Sequence, residues 1–288
     1  MYSSLLNYSL LIDNMNELQK RIFTGLFGAI GFSAAIIWNE WSYFVLFFLL
    51  CLLIMLEFYK LLKLDGNAPL RTFGVINGLF IFTLSFLIQK FDLDGRLYSL
   101  IFVGLAAVFF FKLYDAKPAT KKPFTDIAFT FLGIIYIAFP LSLFNLVVFS
   151  DTVYNYQIVM GTLIILWASD VGAYFAGKSL GKHKLFKRVS PKKTWEGSIG
   201  GLVLALLIAV GLSYIFTSFT LIYWLIMACI IVVVGSYGDL FESLFKRSIA
   251  IKDSGNVLPG HGGFLDRFDG FLFVAPFVAV FITVASIF

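Results

Sequence analysis

The sequence predicts an all-α polytopic integral membrane protein with about nine transmembrane helices. Its N-terminus is expected in the cytoplasm and its C-terminus on the outer side. Three observations lead there. First, 60% of the residues are hydrophobic and only 14% are charged, against roughly 25% charged in soluble domains. Second, apolar runs repeatedly approach or exceed the ~20 residues a helix needs to cross a bilayer. Third, Lys and Arg alternate in abundance between successive connections. With the N-terminus placed inside, only Lys90 and Arg96 of the 22 basic residues fall on the outer side, as the positive-inside rule requires.

The apolar segments, in order, are about 22–38, 41–62, 72–89, 97–113, 124–149, 156–177, 198–216, 221–245 and 268–288. Their runs are continuous rather than alternating, and lipid-facing backbone must be hydrogen-bonded internally, which argues for helices over strands. The first two segments are separated only near Asn39-Glu40, so they are expected to form a tight antiparallel helical hairpin. Residues 1–20 read as a short N-terminal tail. Residues 21–150 hold five spans. Residues 151–288 hold four more, with cytoplasmic loops at 178–197 and 246–267. Cys51 and Cys229 lie within apolar runs, which argues against a disulfide framework. The basic residues are dispersed in short loops between spans, so the net charge of +5 does not point to nucleic acid.

Against this background the stretch 236–270, SYGDLFESLFKRSIAIKDSGNVLPGHGGFLDRFDG, stands out for its charge. Ionisable groups beside or inside a bilayer are costly and usually functional. Asp239, Glu242, Ser243 and Lys246 follow at i, i+3, i+4 and i+7 and share one helical face. Glu242 reads either as an in-helix partner of Lys246 or as a further carboxylate of a site. Asp266 and Asp269 share a face at the start of the last span. One of them fits the first turn of a helix, where acidic groups are favourable. The pair, with Arg267 between them and Asp239 on the preceding helix, fits a divalent cation better. Hard cations such as Mg²⁺ take oxygen ligands and share them with phosphates. No zinc ligand set is present. Gly255, Gly260, Gly262 and Gly263 surround Pro259 and His261 in the connecting loop, and glycines let backbone approach a phosphate closely. Lys246, Arg247, Lys252 and Arg267 can neutralise phosphate charge or simply serve the positive-inside pattern.

Two further stretches offer polar groups near the same membrane side. Asp170 lies late in an apolar run and is followed by Gly172, Ala173, Ala176 and Gly177, small residues that permit close helix contact. Ser190-Pro-Lys192-Lys193-Thr194-Trp-Glu196-Gly197 precedes the seventh span, and its lysines suit either a nucleotide or anionic head groups.

Taken together, Ser243-Leu-Phe-Lys246-Arg247, Lys252-Asp253-Ser-Gly255, Pro259-Gly-His261-Gly262-Gly263 and Asp266-Arg267-Phe-Asp269 resemble the motif of the phosphatidate cytidylyltransferases, or CDP-diacylglycerol synthases. Ser169-Asp170, Tyr174, Gly177, the 190–197 stretch and Gly238-Asp239-Leu with Glu242 resemble the same family. The specific likeness covers about 165–270. It implies the reaction of CTP with phosphatidate to give CDP-diacylglycerol and pyrophosphate, in phospholipid biosynthesis. It also implies a homodimer in the bacterial cytoplasmic (inner) membrane, with its active site facing the cytoplasm. It implies Mg²⁺ paired with a monovalent cation such as K⁺, held by Asp239, Asp266 and Asp269, with Glu242 beside them. The catalytic set implied is Asp239, Lys246, Arg247, Lys252, Asp253, His261, Asp266, Arg267 and Asp269. The substrate-binding set is Asp170, Ser190, Lys192, Lys193, Thr194, Glu196, Gly262 and Gly263. Because a lipid phosphate is already ionised, His261 is expected to donate hydrogen bonds rather than act as a base. Two other readings are a CTP-dependent polyprenol or phytol kinase, with comparable carboxylates, and, of a different class, a cation transporter lined by intramembrane Asp residues.

Overall fold

A computed structural model describes residues 17–114, 122–150, 152–251, 254 and 263–286, with side chains from residue 28 onward apart from Ser150. Among these residues eight helices are long and apolar enough to cross a membrane. They are α2 (Glu40–Leu64), α3 (Arg71–Phe91), α4 (Gly95–Tyr114), α5 (Pro123–Val148), α6 (Tyr156–Leu180), α7 (Trp195–Ile215), α8 (Leu221–Ser248) and α9 (Leu265–Ala285). The first expected span falls in a 22-residue helix, α1 (Glu17–Trp38), whose Gly28–Trp38 part is apolar but short. The expected all-helical polytopic architecture is thus the observed one.

The hairpin between α1 and α2 turns on one residue. Asn39 is extended, its Oδ1 accepts from the Trp41 and Ser42 N–H groups at 2.9 Å each, and Ser42 Oγ accepts from the Asn39 N–H at 3.1 Å. This reciprocal cap satisfies donors that the bilayer would otherwise leave exposed. In α5 the ladder widens to a π turn at Ile134–Ala138. Pro140 has no N–H to give the Tyr136 carbonyl, and the one-residue slip, with the Phe139 N–H bonding Ile134 O, absorbs that loss without breaking the helix.

The core lies where α2, α3, α5, α8 and α9 meet, around Phe47, Phe58, Tyr59, Phe82, Phe144 and Phe271, all essentially solvent-free. By contrast α4 buries only Val108 and presents Phe102, Phe110 and Leu113 outward. The small residues after Asp170 do what their size permits. A methyl on Gly172 would lie 2.6 Å from Gly200 O, and one on Gly201 would lie 2.7 Å from Ser169 O, so α6 and α7 touch backbone to backbone.

Outside the helices two short antiparallel pairs form, β1 (Phe149–Ser150) with β2 (Val153–Tyr154), and β3 (Lys184–Phe186) with β4 (Ser190–Thr194). The second pair lies within the expected loop 178–197. It becomes a ribbon because Glu196 anchors its near end. The carboxylate accepts from the Lys182 N–H at 3.1 Å and the His183 N–H at 3.2 Å, and pairs with His183 Nδ1 at 2.6 Å.

Candidate active site

The charged stretch folds as the last turns of α8, the first turns of α9 and the segment between them. The two helices cross closely at Gly238 and Gly270. A methyl on Gly238 would come within 3.0 Å of Asp269 O and 3.2 Å of Gly270 Cα. That contact brings three carboxylates together. Asp239, Glu242 and Asp269 each offer an oxygen, and these oxygens lie within 4.8 Å of one another. Asp239 is half exposed, whereas Glu242 is buried and its Oε1 has no hydrogen-bond partner among the described residues.

Lys246, one turn after Glu242, joins this cluster to Asp266. Its Nζ lies 2.5 Å from Glu242 Oε2 and 2.8 Å from Asp266 Oδ1. The in-helix pairing weighed for Glu242 is therefore present, and it uses only one of the two carboxylate oxygens. Asp266 also meets the incoming segment. Its Oδ2 accepts from the Ser254 N–H at 3.0 Å and the Gly263 N–H at 3.1 Å. It thereby takes the first-turn role that one Asp was expected to fill, while Asp269 faces the cluster.

The end of α8 is held by a left-handed residue. Ala250, at φ 56°, lets the Ile251 N–H reach Lys246 O at 3.0 Å and its own N–H reach Arg247 O at 3.2 Å. This is the closing pattern more often built on glycine. The exposed Arg247 adds a hydrogen bond from Nη1 to Ile251 O at 3.2 Å.

From the ribbon, Lys193 ion-pairs with Asp239 and donates to Ser236 O at 3.3 Å. Its neighbour Lys192 is exposed. Thr194 is buried and caps α7, its Oγ1 accepting from the Gly197 N–H at 3.1 Å. Ser190 begins β4, and Glu196 ties the ribbon to α7 rather than joining the cluster. Asp170, exposed on α6, feels the charges of Asp239 and Lys193. Arg267 is exposed at the start of α9. Lys252, Asp253, His261 and Gly262 lie outside the described residues.

One member was missed by sequence reading. Glu57, buried in α2, reaches the segment between α8 and α9. The Ser254 hydroxyl donates to its Oε1, and the Phe264 N–H donates to its Oε2 at 2.8 Å. The only sequence signal was a lone acid in the apolar run LLIMLEFYK.

Four carboxylates (Asp239, Glu242, Asp266 and Asp269) face two ammonium groups (Lys193 and Lys246), so at full ionisation this set carries two excess negative charges. Two unit charges 4 Å apart interact by about 4 kcal/mol at an effective dielectric of ~20. A cluster of this sign calls for a cation, and the all-oxygen donors with an unpartnered buried Glu242 Oε1 fit a hard divalent ion. The lysines beside it suit polyanionic substrates. The fold and site together define an integral membrane protein that can handle phosphate groups with a carboxylate-held metal at a helix crossing.

A profile of the cytidylyltransferase family matches residues 19–285. The chain is 36% identical over 265 residues to the phosphatidate cytidylyltransferase of Bacillus subtilis, covering 92% of this chain and 97% of that protein. It is 34% identical over 233 residues to the phosphatidate cytidylyltransferase of Staphylococcus saprophyticus, covering 80% of this chain and 86% of its relative. With the Staphylococcus haemolyticus protein of the same description it shares 36% identity over 178 residues, 61% of this chain and 66% of that one. The chain belongs to the cytidylyltransferase family. The likeness extends beyond the 165–270 region, where sequence motifs carried it, into the N-terminal helices.

Proposed function

We propose that the chain is a phosphatidate cytidylyltransferase, joining CTP and phosphatidate to give CDP-diacylglycerol and pyrophosphate. The match to the Bacillus subtilis protein over 92% of this chain carries this reading. The arrangement of charge supports it. Both substrates are polyanions, so the first task is to bring like charges together. Lys193 and Lys246 stand beside the carboxylate cluster, where their charge can offset that of the phosphates. A phosphatidate phosphate oxygen attacks the α-phosphorus of CTP in line with the departing pyrophosphate. The new P–O bond forms as the bond to pyrophosphate breaks. The nucleophile is already ionised, so no strong base is needed, and positioning and electrostatics supply the acceleration.

Asp239, Glu242 and Asp269 are the groups that would hold Mg²⁺, with Asp266 fixing Lys246 next to them. The bound cation would offset charge on the phosphates and align them. A paired monovalent cation such as K⁺ and a homodimer belong to the same proposal. So does placement in the bacterial cytoplasmic membrane with the site facing the cytoplasm, supported by the distribution of Lys and Arg and by bacterial relatives.

The test is to incubate membranes containing the protein with phosphatidate and either cytidine-labelled or γ-phosphate-labelled CTP. Cytidine label appearing in lipid, with γ label leaving as pyrophosphate, is the expected result. γ label transferred to a polyprenol would indicate the kinase. Transport of cations with no lipid labelling would indicate the transporter.

A further inference from the structure

Glu57 is buried in α2, yet among the described residues its carboxylate accepts hydrogen bonds from the segment that joins α8 to α9. Its two oxygens take two points of that segment, Oε1 from the Ser254 hydroxyl and Oε2 from the Phe264 N–H at 2.8 Å. The Phe264 N–H lies at the entrance of α9, among the donors a helix leaves unsatisfied. Gly263 is packed so closely beneath the Glu57 carboxylate and Ser254 Oγ that a methyl there would collide with both. The Ser254 and Gly263 N–H groups in turn donate to Asp266 Oδ2 at 3.0 and 3.1 Å. Asp266 Oδ1 holds Lys246 at 2.8 Å, and Lys246 holds Glu242 at 2.5 Å. An unbroken series of bonds therefore runs from the N-terminal hairpin to the carboxylate cluster.

We propose that Glu57 is a positioning residue for the reaction: by clasping Ser254 and Phe264 it fixes where α9 begins, and so sets Asp266 and Lys246 against the cluster. The inference rests on the cytidylyltransferase reading for its activity readout, and on geometry alone for its structural one. A carboxylate that served only to stabilise the fold would change the yield of folded protein. A positioning carboxylate changes the turnover of the protein that does fold.

Three variants separate these roles. Glu57→Leu removes both acceptors. Glu57→Gln keeps a carbonyl for the Phe264 N–H and offers an amide to the Ser254 hydroxyl, which can accept as well as donate. Ser254→Ala removes one clasp without touching α2. Turnover per folded molecule, quantified by detergent gel filtration, is measured at saturating CTP and phosphatidate. Amide hydrogen exchange is followed at residues 263–266. Glu57→Leu is expected to lower kcat by about 10- to 100-fold, the usual range for a group that orients a site's ligands, with KM for both substrates within about threefold. Protection of the 263–266 amides is expected to fall with it. Glu57→Gln is expected to recover most of the turnover and the protection. The Glu57→Leu/Ser254→Ala double variant is expected to be no worse than Glu57→Leu alone, because both act through one contact.

Wild-type kcat in folded Glu57→Leu would overturn the proposal, as would additive losses in the double variant or amide protection that does not change. If the wild-type protein made no CDP-diacylglycerol, the functional reading would fail instead, while the exchange measurement would still judge the clasp.

Discussion

The crossing of α8 over α9 at Gly238 can be tested by adding a single carbon. In Gly238→Ala the new methyl would meet Asp269 O and Phe273 Cβ at 3.0 Å and Gly270 Cα at 3.2 Å. None of these is the tip of a flexible side chain, so the helices must part by a few tenths of an ångström. Alanine gains about 0.5–1 kcal/mol in a helix over glycine, while overpacking costs about 1–3 kcal/mol. The net loss of stability should be modest, about 0–2.5 kcal/mol by these figures. The chemistry is more sensitive. The shift separates Asp239 on α8 from Asp269 on α9, whose ligand oxygens now lie within 4.8 Å. A misplacement of ~1 Å can cost about 100-fold in rate, so a shift of this size should cost roughly 5- to 10-fold.

CDP-diacylglycerol formation in detergent micelles, titrated with Mg²⁺, should show lower turnover and a higher half-saturating Mg²⁺ concentration. Thermal unfolding of the same samples should change little. Gly211→Ala in α7 is the control, since a methyl there meets nothing within 4 Å. It should leave turnover and Mg²⁺ dependence unchanged. Wild-type turnover and Mg²⁺ dependence in Gly238→Ala would refute the idea that this crossing sets the cluster's spacing.

The remaining expectations concern charge and topology. Asp239→Asn and Asp269→Asn should each insert and fold with turnover reduced at least ~100-fold, as expected when an electrostatic group of the site is lost; activity near wild type at limiting Mg²⁺ in both would remove them from the metal site. Asp266→Asn should also lose turnover, with partial recovery at high Mg²⁺ because the cluster itself is intact. Lys193→Gln should raise the KM for CTP, since Lys193 already reaches Asp239, whereas exposed Lys192→Gln should have a smaller effect that fades with salt; equal effects in both would point to head-group attraction. In a Cys229→Ala background, with Cys51 buried, Lys184→Cys and Lys187→Cys should resist an impermeant thiol reagent in intact cells and react in inverted vesicles; labelling from outside would reverse the orientation.

The helical architecture was legible because a bilayer leaves few alternatives. A continuous apolar run of sufficient length has to form a helix. Asn39 between two such runs could be read as a tight turn before its cap was visible. The face shared by Asp239, Glu242 and Lys246 was legible for the same reason, because within a helix sequence spacing is geometry. The same rule was less informative at Asp266 and Asp269. Periodicity puts them on one face, but it takes no account of the donors arriving at a helix N-terminus. The N–H groups of Ser254 and Gly263 occupy Asp266 Oδ2, and among the described residues it is Asp269 that groups with Asp239 and Glu242.

What the sequence hid is the set of contacts between distant parts of the chain. Lys193 looked like one basic residue among many in a loop, and its pairing with Asp239 depends on the β3–β4 ribbon held by Glu196. Glu57 is the stronger case, because its partner Ser254 stands 197 residues away. No local pattern marks such a pair. Yet a carboxylate inside an otherwise apolar run is itself informative. Leaving it unpaired would be costly in this setting, so its presence asks where the compensating donors are. Here they are the Ser254 hydroxyl and the Phe264 N–H, both in the connection that meets Asp266. The N-terminal helices, whose own sequence carries no phosphate-binding motif, are thereby bonded to the site. A family likeness running from residue 19 rather than from the motifs alone is what such a connection would produce.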